Sequence, residues 1–167
     1  MCYPILAYLG GEFMYYVSYG SNMNVEQMAY RCPNTKIYGN GKVKGWKLVF
    51  NYHADIIETG KESDSVPVVV WELDNKNDEK RLDRYEGYPT YYVKRIIPVV
   101  MDNGKKIRAM VYVMNDFHKG IYPPTQLYFD GILEGYHTMV LTQNHYSMLL
   151  NSVLTRTILR SIISIIQ

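Results

Sequence analysis

Between Met14 and Met114 the apolar positions fall in short runs rich in β-branched and aromatic residues, and these runs predict strands. They are Tyr15 to Ser18, Val43 to Tyr52, Val66 to Leu73, Tyr91 to Val100 and Ile107 to Met114. Asp102-Asn103-Gly104 separates the last two runs with residues that tolerate positive φ, which predicts a hairpin. Two short helices interrupt the strands. The first is predicted from Asn24, whose side chain suits an N-cap, to about Arg31, ahead of Pro33. The second runs from about Asn77 through Glu79, Leu82 and Tyr85 and stops at Gly87. After Met114 comes a loop with Pro123 and Pro124, then helical segments near Gln126 to Gly135 and Asn144 to Leu154. So many short strands in a small chain predict a sheet that curls to cover its own apolar face. The expected fold class is α+β, a small mixed, mostly antiparallel β-barrel flanked by short helices.

Length and composition fit one globular unit: 167 residues, 47% hydrophobic and 20% charged, enough for one real core and too few for two ordinary domains. Eighteen basic residues against 16 acidic ones leave a net charge of +2, no field that would attract nucleic acid or a membrane, so small molecules are the expected partners. Cys2 and Cys32 have no metal-ligand spacing and suggest free thiols in a reducing, cytoplasmic setting. Residues 1–13 lack the basic start and cleavage pattern of an export signal and are expected to form an extension outside the core. Residues 154–167 carry apolar positions at 158, 159, 162, 163, 165 and 166, broken by Arg156 and Arg160. That run is shorter than the roughly 20 residues of a membrane span. It predicts a C-terminal apolar helix packed on the domain or on a second subunit, as in a homodimer.

Two segments carry candidate chemistry. Tyr19-Gly20-Ser21-Asn22-Met23 lies between a predicted strand and the helix start at Asn24, where backbone N–H groups converge and the helix dipole favours an anion. Glycine, serine and asparagine serve plain turn geometry in most such links, so this loop alone is a weak signal. Ser21 lacks a Gly-x-Ser-x-Gly setting and an evident base, which argues against a covalent nucleophile. Gly39, Gly41 and Gly45 miss the dinucleotide spacing, and His53, His118, His137 and His145 are too scattered for a metal site, so neither cofactor nor metal is expected. Glu86, in Leu82-Asp83-Arg84-Tyr85-Glu86-Gly87, is the more informative residue. It sits at the C-terminus of a predicted helix beside Tyr85, Tyr88 and Tyr91, where the dipole and water exclusion both raise a carboxyl pKa.

Taken together, these segments resemble the gamma-glutamylcyclotransferase, or AIG2-like, family. The matching pieces are Tyr15-Tyr16-Val17-Ser18-Tyr19-Gly20-Ser21-Asn22-Met23, Arg31-Cys32-Pro33, Val68-Val69-Val70-Trp71-Glu72-Leu73 and Leu82-Asp83-Arg84-Tyr85-Glu86-Gly87, with Tyr91-Tyr92-Val93 and the stretch from Pro124 to Gly135 downstream. The likeness covers about residues 14–153, which sets the expected domain. It implies a compact barrel whose Tyr19 to Met23 loop binds the amino-acid end of a small substrate, with Glu86 as acid and base. Tyr92 and Tyr128 match the later pocket tyrosines, although the link from Glu86 to Tyr92 is short for the family. The implied reaction cyclises a γ-glutamyl amine or peptide to 5-oxoproline and releases the amine, without a cofactor. The rival reading is a repurposed member that binds or cleaves a different small amino-acid-containing or nucleotide conjugate.

Overall fold

The computed structural model describes residues 14–73, 76–120 and 122–139. Among these residues there are seven strands, β1 (Met14–Ser18), β2 (Lys36–Lys44), β3 (Trp46–Asn51), β4 (His53–Glu58), β5 (Ser65–Leu73), β6 (Tyr92–Met101) and β7 (Lys106–Met114), and three α-helices. The helices are α1 (Val25–Arg31), α2 (Lys76–Glu86) and α3 (Gln126–Met139). Five strands close a barrel in the order β1-β5-β2-β6-β7, and β3 with β4 forms a separate hairpin. All neighbours are antiparallel except the closing pair: β1 runs parallel to β7, with Tyr16 opposite Met110 and Val17 opposite Val111. The expected mixed, mostly antiparallel barrel is therefore the observed one.

Burial explains the closure. Val17, Val43, Val66, Val68, Val70, Val99 and Val111 are all fully buried in the strand wall. At roughly 1.5–3 kcal/mol each, residues of this size make an open, wetted sheet untenable. Gly41 is needed where β2 meets β6, because a Cβ there would lie 2.7 Å from the Val100 carbonyl oxygen.

The expected strand from Val43 to Tyr52 is corrected. β2 begins earlier, at Lys36, and the chain turns at Gly45 before β3, so one predicted strand is two. β4 was not predicted. Its hairpin turns through Tyr52, whose φ of 64° is unusual for a tyrosine and carries no glycine signal. Stacking on Tyr122 at 4.3 Å and a bond from Tyr52 N to Tyr122 O hold that turn. The other elements match their expected positions to within a few residues. Asn24 caps α1 by accepting from Gln27 N, and Gly104 N bonds Met101 O in the β6–β7 turn. α3 continues beyond Gly135 to Met139. Among the described residues no helix is long and apolar enough to cross a membrane. The extension over residues 1–13, the helix expected over 144–154 and the tail over 154–167 lie outside the described residues.

Candidate active site

Glu86 is aimed by helical spacing. Asp78 and Leu82 are buried on α2, and Glu86 follows at the next i+4 position on that face. The helix then stops in a Schellman arrangement: Tyr88 N donates to Asp83 O and Gly87 N to Arg84 O, with Gly87 at φ +64°. Glu86 thus occupies the last helical position, with its side chain lining a narrow, polar cavity.

The opposite wall is the loop after β1. Gly20 O accepts from Met23 N, forming a 3-10 turn over Ser21–Met23, so the amides of Ser21 and Asn22 precede the first internal bond of the turn. Asn22 is 3% exposed and joins three groups. Its Oδ1 accepts from Arg31 Nη1, while its Nδ2 donates to Tyr16 Oη and to Glu86 Oε1, both at 2.8 Å. Arg31 has only donors to offer and so takes the amide oxygen, which turns the NH₂ toward Glu86. The guanidinium is fixed in turn by Gln27 Oε1 at 2.8 Å and by the Tyr85 ring 3.7 Å beneath it.

Burial raises the Glu86 pKa to about 7, against the opposing pull of the Arg31 charge and the Asn22 hydrogen bond. Five tyrosines, at 16, 19, 92, 112 and 128, line the same cavity, and burial raises each of their pKa values, so all stay neutral. Their hydroxyls divide into two sets. Tyr19 donates to Tyr112 O, Tyr92 to Ala54 O and Tyr112 to Asp83 Oδ1, each at 2.7 Å. Tyr16 and Tyr128 instead accept, from Asn22 and from Ala54 N, and keep a proton to donate into the cavity. Ala54 is held in place by its neighbour: fully buried Asp55 accepts from Ile56 N and Met114 N, tying β4 to the end of β7.

A family model described as gamma-glutamyl cyclotransferase, AIG2-like, matches residues 16–130. The chain belongs to this family. Gamma-glutamylcyclotransferase from Bos taurus is 30% identical over 129 residues, 71% of this chain and 67% of the bovine protein. The Homo sapiens protein of the same name is 28% identical over 128 residues, 70% of this chain and 66% of the human one. The chain thus spans about two thirds of the length of these curated relatives. A solved gamma-glutamyl cyclotransferase structure superposes with a TM-score of 0.74 at 26% identity, over 83% of this chain and 86% of that one.

Every residue lining the cavity, from Tyr16 to Tyr128, falls within the stretch matched by the family model. Tyr19, Gly20, Ser21, Asn22, Glu86, Tyr92 and Tyr128, all expected from the sequence, come together around it. Met23 does not: it is fully buried behind the loop, where a Cβ on Gly135 of α3 would approach it to 3.1 Å. Ser21 Oγ lies 3.3 Å from Arg31 Nη1 and from the Tyr85 hydroxyl, and neither is a base. Tyr16, Arg31, Ala54 and Tyr112 escaped the sequence reading. Arg31 stood in a matched segment but carried no assigned role, Tyr16 and Tyr112 looked like strand residues, and Ala54 lies on the unpredicted β4.

Proposed function

We propose that the protein is a gamma-glutamylcyclotransferase that converts a small γ-glutamyl amide to 5-oxoproline and free amine, with Glu86 as base and then acid. The observation that carries this reading is the Asn22-held carboxyl with a pKa of about 7, inside a polar cavity of a chain from this family. Glu86 Oε1 is oriented by Asn22, and Oε2 takes a proton from the substrate's α-ammonium. The freed amine attacks the γ-carbonyl carbon and closes a five-membered ring. The amide C–N bond then breaks as Glu86 returns the proton to the departing nitrogen. The products balance the substrate atom for atom, and no water, cofactor or protein nucleophile enters.

Holding amine and carbonyl together supplies much of the rate, on the order of 7–11 kcal/mol in the best intramolecular cases. The amides of Ser21 and Asn22 receive the α-carboxylate or the developing oxyanion. Tyr16 and Tyr128 donate to the same head group, and Tyr19 and Tyr92 serve as walls. The partner is thus a small molecule with an amino-acid end. The test is 5-oxoproline formation from a panel of γ-glutamyl compounds by the wild type and by Glu86→Gln. Turnover lost by at least a hundredfold in the variant supports the assignment; equal turnover overturns the role of Glu86. Tight ligand binding without turnover in either protein would favour a repurposed binding module.

A further inference from the structure

A wider recess of about 320 Å³ adjoins the cavity and shares Ser21, Glu86, Tyr92 and Tyr128 with it. Its outer walls are His53, Arg84, Tyr85 and Tyr91. A ligand whose reacting amide lies at Glu86, with its glutamyl end in the inner cavity, puts its departing half into this recess, because Glu86 borders both spaces.

The walls have a definite chemistry. His53 stands edge-on to Tyr128 at 5.1 Å and to Tyr91 at 6.0 Å. Tyr91 is stacked from behind on His118 at 4.4 Å, and its backbone is held on both sides, Tyr91 N by Gly87 O and Tyr91 O by Asn115 N. These rings are set before a ligand arrives, so binding costs little side-chain entropy. Desolvation lowers the His53 pKa, which keeps the imidazole neutral at pH 7 and leaves it as a further aromatic surface. Only Arg84 and Glu86 carry charge among the lining residues. Arg84 forms no ion pair among the described residues and is tied only by Nε to Lys80 O at 3.4 Å. The recess therefore offers flat rings and one available cation.

From this geometry we infer that the recess is the leaving-group subsite and selects γ-glutamyl conjugates of aromatic α-amino acids, the ring packing on Tyr91 and His53 and the carboxylate facing Arg84. The inference rests on the cyclotransferase reading and extends it to the half of the substrate that is released. It disfavours γ-glutamyl polyamines, whose cationic tail would meet Arg84.

The experiment compares kcat/KM for γ-glutamylphenylalanine, γ-glutamylglycine, γ-glutamylphenethylamine and γ-glutamylputrescine. The expected preference for phenylalanine over glycine is on the order of 10-fold, the scale of a favourable ring contact. Tyr91→Ala brings that ratio toward one, and Tyr91→Phe keeps it. Arg84→Gln removes the advantage of phenylalanine over phenethylamine, which differ only by the carboxylate. Dissociation constants for the same compounds with Glu86→Gln protein provide a readout that needs no turnover. Cyclisation of the glycine and phenylalanine conjugates at equal rates, or equal affinity for both, overturns the subsite and leaves cyclotransfer standing. No 5-oxoproline from any compound, with the affinity ratio still lost in Tyr91→Ala, overturns cyclotransfer and upholds the aromatic subsite.

Discussion

Glu86→Gln separates the energetic cost of the buried carboxyl from its chemical use. In the unfolded chain this group ionises near its ordinary 4.5; in the native protein desolvation raises it to about 7. The folded state holds the proton more tightly, so the stability contributed by the neutral carboxyl is complete below about pH 4.5 and is lost as the pH rises through about 7. At roughly 1.4 kcal/mol per pH unit the loss reaches about 3 kcal/mol once both states are ionised. Glutamine keeps the shape, and its Oε1 still accepts the Asn22 bond, but it never acquires the charge. The variant and the wild type should therefore unfold alike at pH 4. At pH 8.5 the variant should be the more stable by up to about 3 kcal/mol. Urea unfolding followed by the fluorescence of buried Trp46 and Trp71, with circular dichroism in parallel, measures the difference at each pH. A difference that does not change with pH, or a wild type that gains on the variant as the pH rises, would refute the reasoning. Either result would mean that Glu86 ionises well below 7 and is effectively paired with Arg31.

With ionised Glu86 as the base, kcat/KM should rise with pH through a midpoint of about 7, and Arg31→Met, which removes the cation that holds this value down, should move the midpoint upward. A midpoint that stays put would detach Arg31 from Glu86. Tyr92→Phe removes a 2.7 Å hydrogen bond to Ala54 O and should cost about 1–3 kcal/mol in urea unfolding; a raised KM at unchanged stability would instead put this hydroxyl on the substrate. Gly41→Ala forces a Cβ to within 2.7 Å of Val100 O and should destabilise the barrel by about 1–3 kcal/mol, and an unchanged unfolding midpoint would show that β2 and β6 separate freely there.

Local signals carried much of the fold. Asn24, Asp102-Asn103-Gly104 and Gly87 each act within a few residues of themselves, and each marks its predicted cap, turn or stop. Glu86 was legible for the same reason, since its place at the end of a helix that stops at Gly87, among tyrosines, is a local signal. β4 was not, because its turn is made by Tyr52 and secured by Tyr122, seventy positions along the chain. The roles of the tyrosines were beyond reach as well. Tyr92 and Tyr128 were expected at the pocket and both line it, but that both hydroxyls also meet the backbone of Ala54, on the strand that no local pattern announced, could not be read from the sequence.

The sequence by itself determined the elements outside the β2–β4 stretch, the closing of the sheet on its own apolar face, and the two segments from which the site is built, since each depends on short-range pattern and chain geometry. The tertiary structure alone decided which phenols keep a proton for the cavity, how Arg31 turns the Asn22 amide toward Glu86, and how far burial lifts that carboxyl. Those properties belong to groups from β1, α1, β4, α2 and α3 that meet only in the folded chain, and neither desolvation nor donor accounting exists until they do.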